Sequence, residues 1–439
     1  MKKYLLCIIA IVLMLTGCSK TKPFGENPVY GPSSQTQSTV PTTYEVLSCD
    51  NNEGDTPYTS APFQNTTVPF SSETVQPSER GEFRGVWLSY YEIDVTNETS
   101  TEESYREYIE SLCSKFAPYG ITDVFAHVRA YGDAIYKSSV YPVSKYAAGE
   151  QGGELPFDLL EIICEVMSAH NIRVHAWVNP YRVHNGTDIN ELSDDNKAKQ
   201  WYNPYSNEDV VIVGEKIYFN PSSEKAQQLV VQGAAEILAN YNVAGIHIDD
   251  YFYPPGCGDF DSAQYNDFIS SGGNLSLDDW RRSNVNSLVS ALYSTVKAYG
   301  ADKIFSISPA GNIDNNYNSL YADVELWCKG GYADMIIPQI YFGFEHSSRA
   351  FDSCTDDWLK LKADSVLMPV GLALYKSGTE DSYAGEGIAE WTQQTNIIAR
   401  QVQYLRSRNC DGFVIFSAEY FFREGTYPSV ELANLRQII

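Results

Sequence analysis

The sequence is poor in positive charge. Its 439 residues carry 31 Lys and Arg against 56 Asp and Glu, a formal charge of −25. A polyanionic partner needs a basic face, so nucleic acid is excluded as a ligand. Paired cysteines are also lacking: none of the nine forms a CxxC, which removes zinc ribbons. The six histidines show no HxH or HxxxH spacing. No Gly-rich phosphate loop follows the first apolar run, where Trp87-Leu88-Ser89-Tyr90-Tyr91 stands instead. That argues against a doubly wound nucleotide-binding sheet. No cofactor and no metal are therefore expected. A His/carboxylate site drawn from His127, His175, His247 and Asp249 remains as the metal-dependent alternative, a hydrolase or deacetylase.

Long apolar runs are missing too, with one exception. Lys2 and Lys3 precede an apolar stretch from Tyr4 to Leu15, the length of a signal-peptide core and short for a membrane span. It closes on Leu15-Thr16-Gly17-Cys18, which resembles a bacterial lipobox. The expectation is a leader over residues 1–17 and lipidation of Cys18, tethering the protein outside the cytoplasm on the cell membrane. Residues 18–80 then have few large aliphatic side chains, and Ser, Thr, Pro, Asn and Gln supply more than half of residues 19–80. Such a stretch cannot bury enough apolar surface to offset its ordering entropy, so it reads as a flexible stalk. Cys113 and Cys164 fall on apolar helical stretches and read as small core residues.

What is present begins at residue 81. Eight short apolar runs, rich in Val, Ile and Phe, alternate with amphipathic stretches up to the C-terminus. They are 83–88, 123–129, 173–178, 243–249, 303–308, 334–340, 366–374 and 412–416. Five intervening stretches carry apolar residues at helical spacing: 104–119, 156–170, 222–241, 280–299 and 387–408. Runs of this kind fit buried parallel strands, and eight βα units predict an α/β fold, a (β/α)8 TIM barrel over residues 81–439. The insertion after strand three, from Pro180 to Pro221, contains a β-hairpin pattern at 211–219, and a long loop follows strand four at Tyr251.

Function in this fold collects at the C-terminal ends of the strands. Those ends are rich in Tyr, Trp, Asp, Asn, Gln and Arg. A pyranose stacks its C–H face on aromatic rings and offers hydroxyls to planar polar partners, so the cup predicts a polysaccharide or oligosaccharide ligand. Its sharpest element is Gly245-Ile246-His247-Ile248-Asp249-Asp250-Tyr251. With period two, His247 and Asp249 share one side of the strand, and Asp250 sits at the lip. Glycoside hydrolysis needs two carboxyl groups, and adjacent acids can have their pKa values driven apart.

These motifs resemble the glycosyl-hydrolase-like 10 family, also called domain of unknown function 187. The resemblance rests on Phe83-Arg84-Gly85-Val86-Trp87, Arg129-Ala130-Tyr131-Gly132-Asp133-Ala134, His175 to Arg182, Gly245 to Pro254 and Pro338-Gln339-Ile340-Tyr341. It implies a TIM-barrel glycosidase-like domain acting on bacterial cell-wall glycan. The fourth strand is also similar to the family 18 chitinase pattern, with Asp249 at the acetamide-assisting Asp but Tyr251 at the acid's position. It is similar again to the α-amylase fourth strand, where Asp249 aligns with the nucleophile and the acid is missing. The expected roles are Asp249 as nucleophile or acetamide-orienting base, Asp250 as proton donor or its partner, and Asp133 as reserve acid, with Glu345 and Glu419 behind it. Arg129, His175, Asn179, Tyr181, Arg182, His247, Tyr251, Gln339 and Tyr341 are expected to contact sugar. The missing family acid keeps a non-catalytic, glycan-capturing lipoprotein open as the alternative.

Overall fold

The computed structural model describes residues 81–95 and 100–439. The leader, Cys18 and the stalk lie outside the described residues. Eight parallel strands carry the fold: β1 (Phe83–Leu88), β2 (Asp123–Arg129), β3 (Arg173–Val178), then β7 (Gly245–Ile248), β8 (Ile304–Ile307), β9 (Met335–Ile336), β10 (Val370–Ala373) and β11 (Gly412–Phe416). Between β3 and β7 a separate antiparallel sheet is formed by β4 (Arg182–His184), β5 (Val210–Val213) and β6 (Lys216–Phe219). The barrel sheet runs β10-β11-β1-β2-β3-β7-β8-β9. Single parallel bridges, Met335 to Leu367 and Gln339 to Gly371, join its two edges. The architecture is a (β/α)8 TIM barrel with its hairpin after the third barrel strand and a long loop after the fourth.

A helix follows each of the eight barrel strands: α1 (Glu102–Phe116), α2 (Leu159–Ala169), α3 (Glu224–Asn240), α4 (Leu277–Tyr299), α5 (Val324–Gly330), α6 (Phe351–Leu361), α7 (Ile397–Ser407) and α8 (Tyr427–Arg436). The first four start on side-chain caps: Thr101 with Ser104 in a capping box, Asp158, Ser223 and Ser276. α7 has no such cap of its own. Glu431 of α8 supplies it from outside, accepting from the N–H groups of Ile397 at 2.9 Å and Ile398 at 3.0 Å. Two otherwise unpaired helix-end donors are thereby satisfied. The single helix expected over 387–408 is divided, with a short turn at Glu390–Gln393 before α7.

Period-two alternation separates two apolar layers. Phe83, Trp87, Phe125, Trp177, Ile304, Met335, Ile337 and Val414 pack inside the barrel. Their strand neighbours, such as Val86, Leu88, Val124, Ala126, Ile246 and Ile248, join the larger layer beneath the helices. Glycines appear where backbones or rings must come close. A Cβ on Gly371 would lie 2.9 Å from Trp87 Cη2, and one on Gly245 would lie 1.8 Å from the Ile304 carbonyl oxygen. The second clash is with backbone and cannot be relieved by a rotamer. Gly245→Ala should therefore disrupt the β7–β8 ladder and cost about 3 kcal/mol or more, read as a lower urea midpoint than the parent protein's.

Candidate active site

Asp249 leaves the barrel at the end of β7 pointing inward, and it is nearly fully buried. β3 runs alongside, with Trp177 opposite His247 and Val178 opposite Ile248. That register brings the inward side chains of Trp177 and Asn179 to Asp249. The Trp177 indole N–H donates to Oδ2 at 2.9 Å, and Asn179 Nδ2 lies 3.3 Å from each carboxylate oxygen. The Tyr251 backbone N–H adds a donor to Oδ1 at 3.4 Å. Asn179 is itself oriented, because its Oδ1 accepts from the Arg182 backbone N–H at 3.0 Å and so leaves Nδ2 for Asp249. Trp177 is fixed by His127, whose ring stacks on it at 3.6 Å and 7°.

Burial, with the neighbouring Asp250 charge, pushes the Asp249 carboxyl up to about 7. Asp250 is half-buried, and burial alone lifts it to about 6, while a hydrogen bond from Gln339 works the other way. Gln339 is held by its Nε2 bond to the Ser308 carbonyl at 2.8 Å. Arg182 supplies the adjacent cation, its guanidinium lying 4.7 Å from the Tyr131 ring and 4.5 Å from the Tyr251 ring. Tyr341 closes another side, packed edge-on to Trp87 and Tyr375 at 6.4 and 5.8 Å and tilted against Phe416 at 6.0 Å. The result is two adjacent carboxyl groups with raised pKa values in a cup of tyrosines.

Asp249, Asp250, Asn179, Arg182, Tyr251, Gln339 and Tyr341 thus come together as the sequence predicts. Others do not. Arg129 was expected to reach sugar, but a register shift in β2 between His127 and Arg129 sets it opposite Val178, on the outer side of the strand. There it packs on Tyr141 at 4.8 Å and donates to the carbonyls of Tyr131, Asn179 and Pro180. It braces the strand ends from behind. His175 sits one inward layer below Trp177, level with Phe125 and Gly245, and bonds Asp123 at 2.8 Å. Tyr181 is fully buried in the outer apolar layer. His247 lies under the cup: its Nε2 accepts from Trp87 Nε1 at 3.2 Å, so the proton is on Nδ1 and faces Ser306 Oγ at 2.8 Å. Burial holds that imidazole well below its ordinary pKa.

The reserve acids also stand apart. Asp133 is buried, bonded to Gln151 at 2.7 Å, and lines a separate cleft. Glu345 is exposed and accepts from Gln394. Glu419 pairs with Arg423 at 2.8 Å beside Glu92. Among the described residues, no three His, Cys, Asp or Glu side chains converge to hold a metal ion. Trp177, Tyr131 and Glu92 are additions that sequence reasoning did not assign. The first had a usable signal, since Trp177 shares the inward face of β3 with Asn179. Glu92, lifted to about 8 by burial, accepts from the backbone N–H groups of Ser89 and Glu419 and ties the ends of β1 and β11 together.

Comparison with known proteins gives the chain a family and its fold several likenesses. Residues 82–384 match the Glycosyl hydrolase-like 10 family, and the chain belongs to it. Glycosyl hydrolase YngK of Bacillus subtilis (strain 168) is 34% identical over 336 residues, which is 71% of this chain and 63% of that protein's length. Glycosyl hydrolase DigH of Escherichia coli (strain K12) is 27% identical over 413 residues, 85% of this chain and 92% of that one. In fold, the PgaB (BpsB) glycoside hydrolase domain from Bordetella bronchiseptica matches with a TM-score of 0.53 at 12% identity, covering 81% of this chain and 98% of that one. The catalytic domain of a Paenibacillus polymyxa beta-amylase matches at 0.51 and 8% identity, covering 81% and 97%.

Because Trp177 donates to the ionised form of Asp249, Trp177→Phe should raise the Asp249 pKa while the ring still stacks on His127. The lost bond to a buried carboxylate is worth about 1.5–3 kcal/mol. Carboxyl-carbon NMR titration of the variant checks the direction; an unchanged or lower value would refute the bond's role.

Proposed function

We propose that the protein is a surface glycoside hydrolase acting on a cell-wall polysaccharide, N-acetylated glycan of the peptidoglycan type, tethered outside the cytoplasm through Cys18. The observation that carries the reading is the Asp249–Asp250 pair at the C-terminal end of the fourth barrel strand, one carboxyl buried and bonded, the other half-open to the cup. Between about pH 6 and about 7 the pair holds one proton, which rests mainly on Asp249 and forms the reactive state when it passes to the adjacent Asp250. One acid and one base are then available together, as glycoside hydrolysis requires.

In this mechanism Asp250 gives its proton to the glycosidic oxygen as the bond from that oxygen to the anomeric carbon breaks. Asp249, fixed by Trp177 and Asn179, meets the positive charge that develops on the sugar. It does so by bonding to the anomeric carbon or by orienting the substrate acetamide so that its carbonyl oxygen does so. A water then attacks the anomeric carbon, that carbon's bond to Asp249 or to the acetamide oxygen breaks, and the water's proton goes to Asp250, leaving a new reducing end. Tyr251, Tyr341 and Tyr375 offer ring faces and hydroxyls to the sugar, and Gln339 positions Asp250.

Asp249→Asn should abolish release of reducing ends from purified peptidoglycan strands while the circular dichroism spectrum and melting temperature stay close to the parent's. Full activity in that variant would sink the assignment, and binding without any product in the native protein would favour the glycan-capture role. The pH–rate profile should be bell-shaped with its maximum between about pH 6 and 7. In Asp250→Asn the neighbouring negative charge is gone, so the Asp249 pKa should fall; residual activity should be strongly reduced.

A further inference from the structure

Beyond the carboxylate pair lies a second cleft, of about 230 Å³, whose walls include Tyr131, Asp133, Lys145, Glu150, His184 and Asn185. It is built from three separate pieces of chain: the loop after β2, the segment around 145–151, and the start of the insertion after β3. Its base is a closed polar network. Asn196, fully buried, donates through Nδ2 to the Gly132 carbonyl and to Gln151 Oε1, each at 3.0 Å. Gln151 Oε1 also accepts from the Ser193 N–H at 3.1 Å, and its Nε2 donates to Asp133 at 2.7 Å. The Gly132 N–H completes the join to the Val183 carbonyl at 3.3 Å. A concavity held open by such a network is preorganised before any ligand arrives.

The cleft is connected to the carboxylates through one side chain. The Tyr131 hydroxyl accepts from Arg182 Nη2 at 3.0 Å and from Asn185 Nδ2 at 2.5 Å. Its ring lies against the Arg182 guanidinium, which also lies against Tyr251, and the Tyr251 backbone N–H points at Asp249. The cleft therefore begins where the cup ends, within the span of a short oligosaccharide. Its walls carry donors (Lys145, Asn185) and acceptors (Asp133, Glu150) together with a tyrosine. That is the complement of a sugar ring carrying hydroxyl and amide groups.

We infer that this cleft is a distal subsite that binds a saccharide unit of the same glycan beyond the one cleaved, so that the enzyme acts on chains and gains affinity with their length. The inference rests on the glycosidase reading above and adds to it where the rest of the chain goes. Longer chains fill the cleft and shorter ones do not, so affinity depends on it only above a threshold length.

The test uses full-length protein and a ladder of N-acetylated glycan oligomers from disaccharide to octasaccharide. Lys145 and Glu150 are exposed, so Lys145→Ala/Glu150→Ala should fold. In the native protein KM should fall as the chain grows. In the double variant the long-chain advantage should shrink by about tenfold, equivalent to about 1.4 kcal/mol, with kcat on long chains little altered. The same ladder is bound to Asp249→Asn, with and without the two cleft substitutions, by calorimetry. Native hydrolysis with an unchanged length profile in the double variant overturns the subsite and leaves the glycosidase reading standing. No hydrolysis, but length-dependent binding that the cleft substitutions remove, supports the subsite and overturns the catalytic reading. An absence of binding to every oligomer overturns both.

Discussion

The bond from the Trp177 indole to Asp249 is the constraint around which the site is organised. It exists only if β3 and β7 are neighbours in the register observed, with Trp177 opposite His247. That register needs the close passage of β7 past β8, which Gly245 permits. It also needs Trp177 to hold one orientation, which the stacked His127 ring enforces. Barrel packing and proton chemistry are therefore one problem here. The aromatic layer that fills the barrel also presents the donor that steadies the carboxylate, and a change in either is felt in the other.

The electrostatics of the cup follow from unequal burial of two adjacent acids. Asp249 is surrounded by donors and Asp250 by fewer, yet both are lifted above ordinary carboxylate values because water is largely excluded. Arg182 moderates the effect without pairing at contact distance, its guanidinium resting on tyrosine faces. A contact ion pair would hold an aspartate ionised and remove the proton that acid catalysis spends.

Much of this was legible in the sequence because parallel strands buried on both faces leave an unmistakable mark. The eight runs are the eight barrel strands, and the inward parity of His247 and Asp249 follows from period two alone. Arg129 shows the limit. Its place in the motif matched a cup residue, but one register slip in β2 turned it outward, and a slip has no signature in residue type. His175 failed for a related reason: parity says which side a residue faces and nothing of its depth. Tyr181 lies past the end of β3, where parity no longer applies. The helices α5 and α8 escaped notice because they span only 7 and 10 residues. Such lengths give a period of 3.6 few repeats in which to declare itself. The strand β4 is shorter still and is created by its pairing with β6.

The way the barrel closes has a dynamic consequence. Seven of its neighbour contacts are ladders, but β9 has two residues and meets the β10 side through single bridges at Leu367 and Gly371. Few hydrogen bonds guard that seam, so local opening of the cylinder begins there at lower free energy than elsewhere. Gln339, the residue that steadies Asp250, is one half of the seam's upper bridge. The loosest join in the cylinder thus adjoins its chemistry, and amide exchange at Gly371, whose N–H bonds the Pro338 carbonyl across the seam, reports breathing of the site as well as of the fold.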